Sequence, residues 1–329
     1  MCNIKYSSLV FLFLLCFCYS CEEQKEEVLS FDQEKQNQSQ VEVQSYKKIN
    51  NFSSGSGMAF YNNHFYLVGD DDPFLVKANK EGEILHKWQL WDSSEVQDGR
   101  IHKKVKPDFE AISLFPYQED TLLIIFGSGS KSPKRDVILT FHPHTEKMDT
   151  LQGEAFFAWL KETTGLTNDE TNLEGAAYHK GVLYLFNRHN NTLYSIPEKG
   201  FATFLKTGLT SSLDVTTNHY ILPIYKNDTA RFSGASYLKE QNALLFSASI
   251  ETTDNWEEDG KILGSFIGLI RLDSLANKKP FCEPVYLNDT TRFEGKIEAV
   301  QGIKKGDQLH IYFITDDDDG TTGWGKVTW

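Results

Sequence analysis

One pattern recurs five times along this chain: a small or acidic residue, then Gly or Ala, a short strand, a turn, and a second apolar strand ending in a polar loop. The copies run Ser56–Asp72, Phe109–Ser130, Leu173–Asn190, Phe232–Asp254 and Ile297–Gly320. Aligned on the residue before Gly or Ala they start at Ser56, Glu110, Glu174, Ser233 and Glu298, in steps of 54, 64, 59 and 65 residues. Internal self-similarity at such a period marks a repeat architecture, in which no unit buries its apolar face alone. Short runs rich in Tyr, Phe, Ile, Leu and Val separated by Gly, Asn and Asp turns make the units β-hairpins. Helical periodicity is confined to one short stretch, Glu154–Leu160.

The expected fold is all-β, a single β-propeller. A sandwich has no reason to repeat five times, and a β-helix has a shorter period. A four-stranded blade takes about 40 to 50 residues. The observed steps are longer, so six blades are expected, with Thr216–Tyr225 belonging to the one that escapes the pattern. The last strand, Gly325–Trp329, should pair with one near Val41–Ile49 to close the ring, because closure removes exposed edges.

The residues ahead of the repeats read as export machinery. Lys5 precedes an apolar run, Leu9–Cys18, about half the roughly 20 residues a membrane-spanning helix needs, as in a signal peptide. Cys21 follows Ser20 directly after that run, the place of a lipidated cysteine; ordinary secretory cleavage leaving a free thiol is the alternative. Residues 21–44 are polar and acidic, too poor in apolar surface to offset their ordering entropy, and are expected to be a flexible tether. The domain boundaries are therefore 1–20, 21–44 and 45–329. Anchored through Cys21, the protein is expected as an outer-membrane or cell-surface lipoprotein of a Gram-negative bacterium.

The net charge of −13 becomes −14 once Lys5 is removed, which disfavours nucleic acid as a partner. Cys282 is the one other cysteine of the processed chain, so neither an internal disulfide framework nor a cysteine zinc site is available. A Gly-x-Ser-x-Gly elbow, a His-Glu-x-x-His helix and a phosphate-binding P-loop are absent. A monomer is expected.

In a propeller the start of each inner strand and the loop after the second strand lie on one face, so the polar residues at those positions should meet at one mouth of the channel. They are Glu110, Glu174 and Glu298 at the strand starts. The loops add Asp70 and Asp71; Lys131 and Arg135; Arg188; Glu251 and Asp254; and Asp316 and Asp317. Crowded carboxylates suit Ca²⁺, which takes six to eight oxygen ligands, and Glu110, Glu174 and Glu298 are the candidate ligands. A salt-bridged rim without a metal is the competing reading. The basic stretch Asp98–Asp108 offers Arg100, Lys103, Lys104 and Lys106 to an anion if it folds over the mouth, and is otherwise a solvated loop.

The strings KPDFEAIS from Lys106, FGSGSKSPKRD from Phe126, NLEGAAY from Asn172 and ASIETTDNWEEDGKILGSFIGLI from Ala248, with GDDDP and TDDDDG, resemble an uncharacterised bacterial lipoprotein propeller family across nearly all of residues 53–329. The repeated apolar-Glu-Gly/Ala element is more distantly similar to the esterase-like phytase propellers. That resemblance implies a Ca²⁺-dependent phosphoesterase with Glu110, Glu174 and Glu298 at the mouth, although Ser56 and Ser233 depart from the pattern. Two functions follow as expectations: a binding module for a small ligand, glycan or protein, or a metal-assisted hydrolase in which Lys131, Arg135 or Arg188 stabilises developing negative charge.

Overall fold

A computed structural model describes residues 41–252, 260–306, 308–317 and 320–329. Five four-stranded antiparallel sheets account for most of them. The first contains Gly55–Tyr61, His64–Gly69, Phe74–Ala78 and Ile84–Gln89. The second contains Phe109–Tyr117, Asp120–Gly127, Ile138–His142 and Lys147–Thr150. The third contains Leu173–His179, Val182–Asn187, Thr192–Pro197 and Thr216–His219. The fourth contains Arg231–Leu238, Ala243–Thr252, Lys261–Arg271 and Phe281–Asn288. The fifth takes Lys296–Lys305, Gln308–Asp316 and Thr322–Thr328, with the N-terminal strand Val41–Ile49 as its outermost member.

The apolar residues between sheets form five separate cores, one per neighbouring pair. Ile124, Phe126 and Ile138 meet Leu173, Leu183 and Leu185 between the second and third sheets. Phe186 meets Phe232 and Phe246 between the third and fourth. Leu245 and Ile267 meet Val300 and Phe313 between the fourth and fifth. Val68 and Leu75 meet Leu123 and Ile125 between the first and second. The ring is completed where Phe65 and Leu67 meet Ile314 and Trp324, between the first and fifth. A strand in such a ring is covered on both faces, so it reads as a continuous apolar run. Leu122, Ile124 and Phe126 serve one interface, while Leu123 and Ile125 serve the other.

The fold is thus the expected β-propeller, and the five visible repeats are its five sheets. The sixth blade expected from the long repeat steps is not found among the described residues. Thr216–His219 is the outer strand of the third sheet, paired with Thr192–Ser195. The extra length lies in connections, including the helices Gly153–Thr164 and Glu198–Thr207. The second helix escaped the sequence reading. Its Phe201 and Phe204 pack with Phe156 of the first helix in the core between the second and third sheets.

Ring closure follows expectation in its partner strands. Val43–Ile49 run antiparallel to Thr322–Val327. The strand begins at Val41, four residues inside the stretch read as tether, and Val41 and Glu42 also pair with Val285 and Tyr286 of the fourth sheet.

The Gly/Ala half of the repeat has a steric cause. Inner strands of neighbouring sheets approach so closely that a Cβ on Gly234 would stand 2.4 Å from the Glu298 carbonyl oxygen, and one on Gly175 2.8 Å from the Ala235 amide nitrogen. Both obstacles are backbone, which cannot rotate away. Gly234→Ala is therefore expected to lower the free energy of unfolding by about 1–3 kcal/mol, the usual cost of overpacking. Urea denaturation of the two proteins checks this, and equal midpoints would show that the ring dilates without cost.

Candidate functional site

Each inner strand slips register against its neighbour at the same point. The shifts fall between Gly55 and Gly57, Phe109 and Ala111, Leu173 and Gly175, Phe232 and Gly234, and Ile297 and Ala299. The extra residues are Ser56, Glu110, Glu174, Ser233 and Glu298, the five repeat starts read from the sequence. A bulge re-aims the side chain it carries, so equivalent bulges in five sheets turn five polar side chains toward the channel.

The two serines work as staples between sheets. The Ser233 hydroxyl donates to the Ile297 carbonyl at 2.5 Å, and the Ser56 hydroxyl donates to the Phe109 carbonyl. In both cases the acceptor precedes the bulge of the next inner strand. Between the third and fourth sheets Arg188 does this work, its Nη1 lying 3.2 Å from the Phe232 carbonyl oxygen. Ser56 and Ser233 depart from Glu because their positions join the ring.

The charged residues fall into two groups. In the first, Lys106 Nζ lies 2.5 Å from Asp70 and 3.0 Å from Asp108, and Arg135 lies 2.6 Å from Asp108. Ser128 donates to Asp108 at 2.7 Å, Arg135 also reaches Ser130 at 2.7 Å, and Arg100 holds Asp71 at 2.5 Å. In the second, Arg188 bonds Glu251 at 2.6 Å and stands 3.8 Å from Glu174. Lys296 bridges Glu251 at 3.1 Å and Glu298 at 2.9 Å, while Asn172 donates to Glu174 at 2.7 Å.

Glu110 lies between the groups and forms no hydrogen bond or ion pair with a described residue. It feels Glu174, Asp108, Asp70 and Glu298 together. Its carboxyl comes close to those of Asp70 and Asp108, and one oxygen from each of the three lies within 4.8 Å of the others, so this triad could hold a metal ion.

Among the described residues of these two groups, seven carboxylates (Asp70, Asp71, Asp108, Glu110, Glu174, Glu251 and Glu298) thus outnumber the five cations that pair with them (Arg100, Lys106, Arg135, Arg188 and Lys296). The protonation equilibria reflect the imbalance. Burial pushes Glu110 well above the usual carboxyl range, with Glu174 and Asp108 adding to it. Burial also takes Glu174 up to about 8 against the pull of Arg188, and Asp70 up to about 6 against Lys106. Glu298 is raised by burial in spite of Lys296. Two acids go the other way. Burial opposes it, but Lys106 and Arg135 hold Asp108 low, and Arg188 with Lys296 holds Glu251 down at about 2.

The mouth therefore gathers Asp70, Asp71, Glu110, Arg135, Glu174, Arg188, Glu251 and Glu298 from the residues expected there. Of the three expected metal ligands, Glu110 alone lies in the close triad; Glu174 and Glu298 stand apart from it, paired with Arg188 and Lys296. Asp317 is also placed elsewhere. Its carboxylate accepts from Tyr46 and Thr315 hydroxyls, each at 3.0 Å, and so ties the N-terminal strand to the fifth sheet. Asp316 ends the second strand of that sheet and acts on Arg100 through its charge. Lys131 is half-buried in the loop after the second sheet's second strand. Asp254 lies outside the described residues, as do residues 1–40 with Cys21.

The basic stretch does fold over the mouth, but Arg100 and Lys106 are spent on Asp71, Asp70 and Asp108, while Lys103 and Lys104 face solvent. The Gly127–Ser130 turn makes no anion nest. Its Gly127, Ser128 and Gly129 amides donate to Val137, Asp108 and Arg135 carbonyls at 2.8 to 3.1 Å. Asp108, Asn172 and Lys296 were missed by sequence reading, and a signal for them exists. The residue two before each bulge is polar in all five copies: Ser54, Asp108, Asn172, Arg231 and Lys296.

A five-sheet propeller with a buried, carboxylate-rich channel mouth is thus the class of protein that fold and site define. A family model, the family of unknown function DUF6929, matches residues 51–326, and the chain belongs to that family. No curated protein matches it. Solved structures similar to it include glutaminyl cyclase of Myxococcus xanthus, at 8% identity and a TM-score of 0.49 over 88% of this chain and 98% of that one. Streptogramin B lyase is similar at 9% identity and a TM-score of 0.37, over 86% and 97%. Identities this low tell nothing of shared chemistry.

The raised carboxyls set a pH dependence. A carboxyl whose folded value lies above its unfolded value stabilises the fold at low pH, and that contribution is lost as pH climbs through the folded value. Glu174 loses it between 4.5 and about 8, and Asp70 between 3.8 and about 6. In chelator, the melting temperature is expected to fall from pH 5 to pH 8, and Glu174→Gln should flatten the fall. A melting temperature that rises over this range would show the mouth to be balanced in charge.

Proposed function

We propose that this protein is an exported, lipid-anchored binding propeller that takes a divalent cation on Asp70, Asp108 and Glu110 and uses it to capture a small anionic ligand. The observation that carries the reading is the close triad, in a mouth whose described carboxylates outnumber the cations paired with them. A buried carboxylate group lacking counter-charge gains it either by taking up protons or by binding a cation. Three carboxylates without nitrogen or sulfur donors suit hard ions such as Ca²⁺, Mg²⁺ or Mn²⁺. Bound there, the ion would supply the positive pole for an anionic group. The sequence features of residues 1–20 and Cys21 support export and anchoring to the outer membrane or cell surface, with residues 21–40 as the tether.

Metal-assisted hydrolysis of a phosphoester is the second reading. It is favoured by the triad itself, whose ion would polarise a phosphoryl oxygen and orient a water. Arg188, which feels the charge of Glu110, would stabilise developing negative charge. A phosphomonoester and phosphodiester screen of the Ca²⁺-, Mg²⁺- and Mn²⁺-loaded protein, with Glu110→Gln as the inactive control, separates the readings. Turnover lost in that variant establishes the hydrolase, and its absence leaves the binding module.

Calorimetry with Ca²⁺, Mg²⁺ and Mn²⁺ tests the cation itself. Binding is expected to release protons at pH 7, seen as an enthalpy that varies with the buffer. Asp70→Asn and Glu110→Gln should each weaken binding by at least about tenfold, or ~1.4 kcal/mol, and Glu174→Gln should have a much smaller effect. Lys106 already shares Asp70 and Asp108 and competes with the incoming ion, so Lys106→Met should tighten binding. The absence of binding heat for all three ions would overturn the proposal.

A further inference from the structure

The cations outside the mouth network gather at one part of its rim. Lys103 and Lys104 are exposed on the segment whose Arg100 and Lys106 enter the mouth network, and Lys134 reaches that segment, its Nζ donating to the Lys103 carbonyl oxygen at 3.4 Å. None of the three forms an ion pair with a described residue. Behind them Lys106 and Arg135 are occupied by Asp70 and Asp108. The crowding is felt: burial first, then the charges of Arg135 and Lys131, push the Lys134 ammonium below the ordinary lysine range. A chain of net charge −13 thus places like-charged lysines together, without carboxylate partners, at the entrance to its most conspicuous site.

We infer that Lys103, Lys104 and Lys134 form a docking surface for a soluble polyanionic glycan, a sugar chain carrying sulfate or phosphate groups. The surface is a ridge, not a pocket. Two exposed lysines on one loop and a half-buried one on another suit anionic groups spaced along a chain better than a single enclosed ion, each lysine acting as a point charge. The exposed large hydrophobic residues lie elsewhere, at Tyr46, Leu85, Leu209, Ile221, Phe281 and Leu287. The ridge therefore lacks the apolar anchors that centre most protein interfaces. A lipid surface also fits poorly. Ile49 pairs with Thr322 beside the mouth, whereas Val43 pairs with Val327, so the N-terminal strand runs away from the mouth toward Val41. The described residues begin at that far end, with Val41. The inference does not depend on a cation in the triad, since these lysines lie outside it.

The test measures binding of the full protein to dextran sulfate, to neutral dextran and to phosphatidylglycerol vesicles at several NaCl concentrations. The variant is Lys103→Gln, Lys104→Gln and Lys134→Gln together. Lys278→Gln, Lys279→Gln and Lys305→Gln together, exposed residues away from the mouth, form the charge-matched control. Dextran sulfate should bind and neutral dextran should not. The rim variant should lose at least about tenfold in affinity at ~0.15 M salt and show a shallower salt dependence, because fewer counterions are released. Far-ultraviolet dichroism should be unchanged and the melting temperature nearly so, as Lys103 and Lys104 are exposed and Lys134 is half-buried with one long hydrogen bond to lose. The inference is overturned if rim and control variants bind alike, if dextran sulfate does not bind, or if vesicles bind and dextran sulfate does not.

Discussion

The antiparallel pairing of Val41–Ile49 with Thr322–Thr328 is the interaction on which the rest of the molecule depends. It joins the two ends of the described chain in one sheet, so that the first and fifth sheets can pack and the ring has no open edge. Its end near the mouth is secured twice. Thr322 Oγ1 accepts the Gly55 amide at 2.8 Å, linking the closing sheet to the first inner strand. Tyr46 reaches Thr315 and Asp317 with its hydroxyl while its ring packs against Phe293 and Phe313. A sheet left with three strands would present a row of unpaired backbone groups, which proteins avoid by covering or pairing such edges.

Closure also decides where charge is buried. Five bulged inner strands drawn together around one axis bring acidic side chains from distant parts of the chain into a space that water fills poorly. Carboxylates taken out of water need partners, and several of these come from another repeat. Arg188 of the third sheet's loop serves Glu251 of the fourth, and Lys296 of the fifth serves it too. A buried ion pair gains little over an apolar contact, because desolvation offsets the attraction, but losing one partner is costly. The network therefore makes the mouth intolerant of change, and Glu110, outside the ion pairs, is the group free to respond to a ligand.

Much of this was legible in the sequence, and the reasons are specific. The acid-Gly/Ala repeat is visible because a bulge and a close backbone approach act at the same position in every sheet, so five sites obey one steric rule. The common face of Asp70, Arg188 and Glu251 was readable because strand connectivity places the start of an inner strand beside the end of its neighbour. The number of sheets was misread since repeat spacing counts connecting residues along with strands. The helices Gly153–Thr164 and Glu198–Thr207 lengthen the second and third repeats without adding a sheet.

The sequence by itself determined the architecture and the inventory of the mouth: strand periodicity, turn residues and polar repeat starts are local properties, repeated often enough to be unambiguous. Only the tertiary structure decided which charges pair. Glu110, Glu174 and Glu298 are equivalent in the repeat, yet Asn172 and Arg188 take one, Lys296 takes another, and the third is left with Asp70 and Asp108. Coulombic pairing depends on distances of a few ångströms, and partners such as Arg188 and Glu251, 63 positions apart in the chain, are brought within reach only by the closed ring.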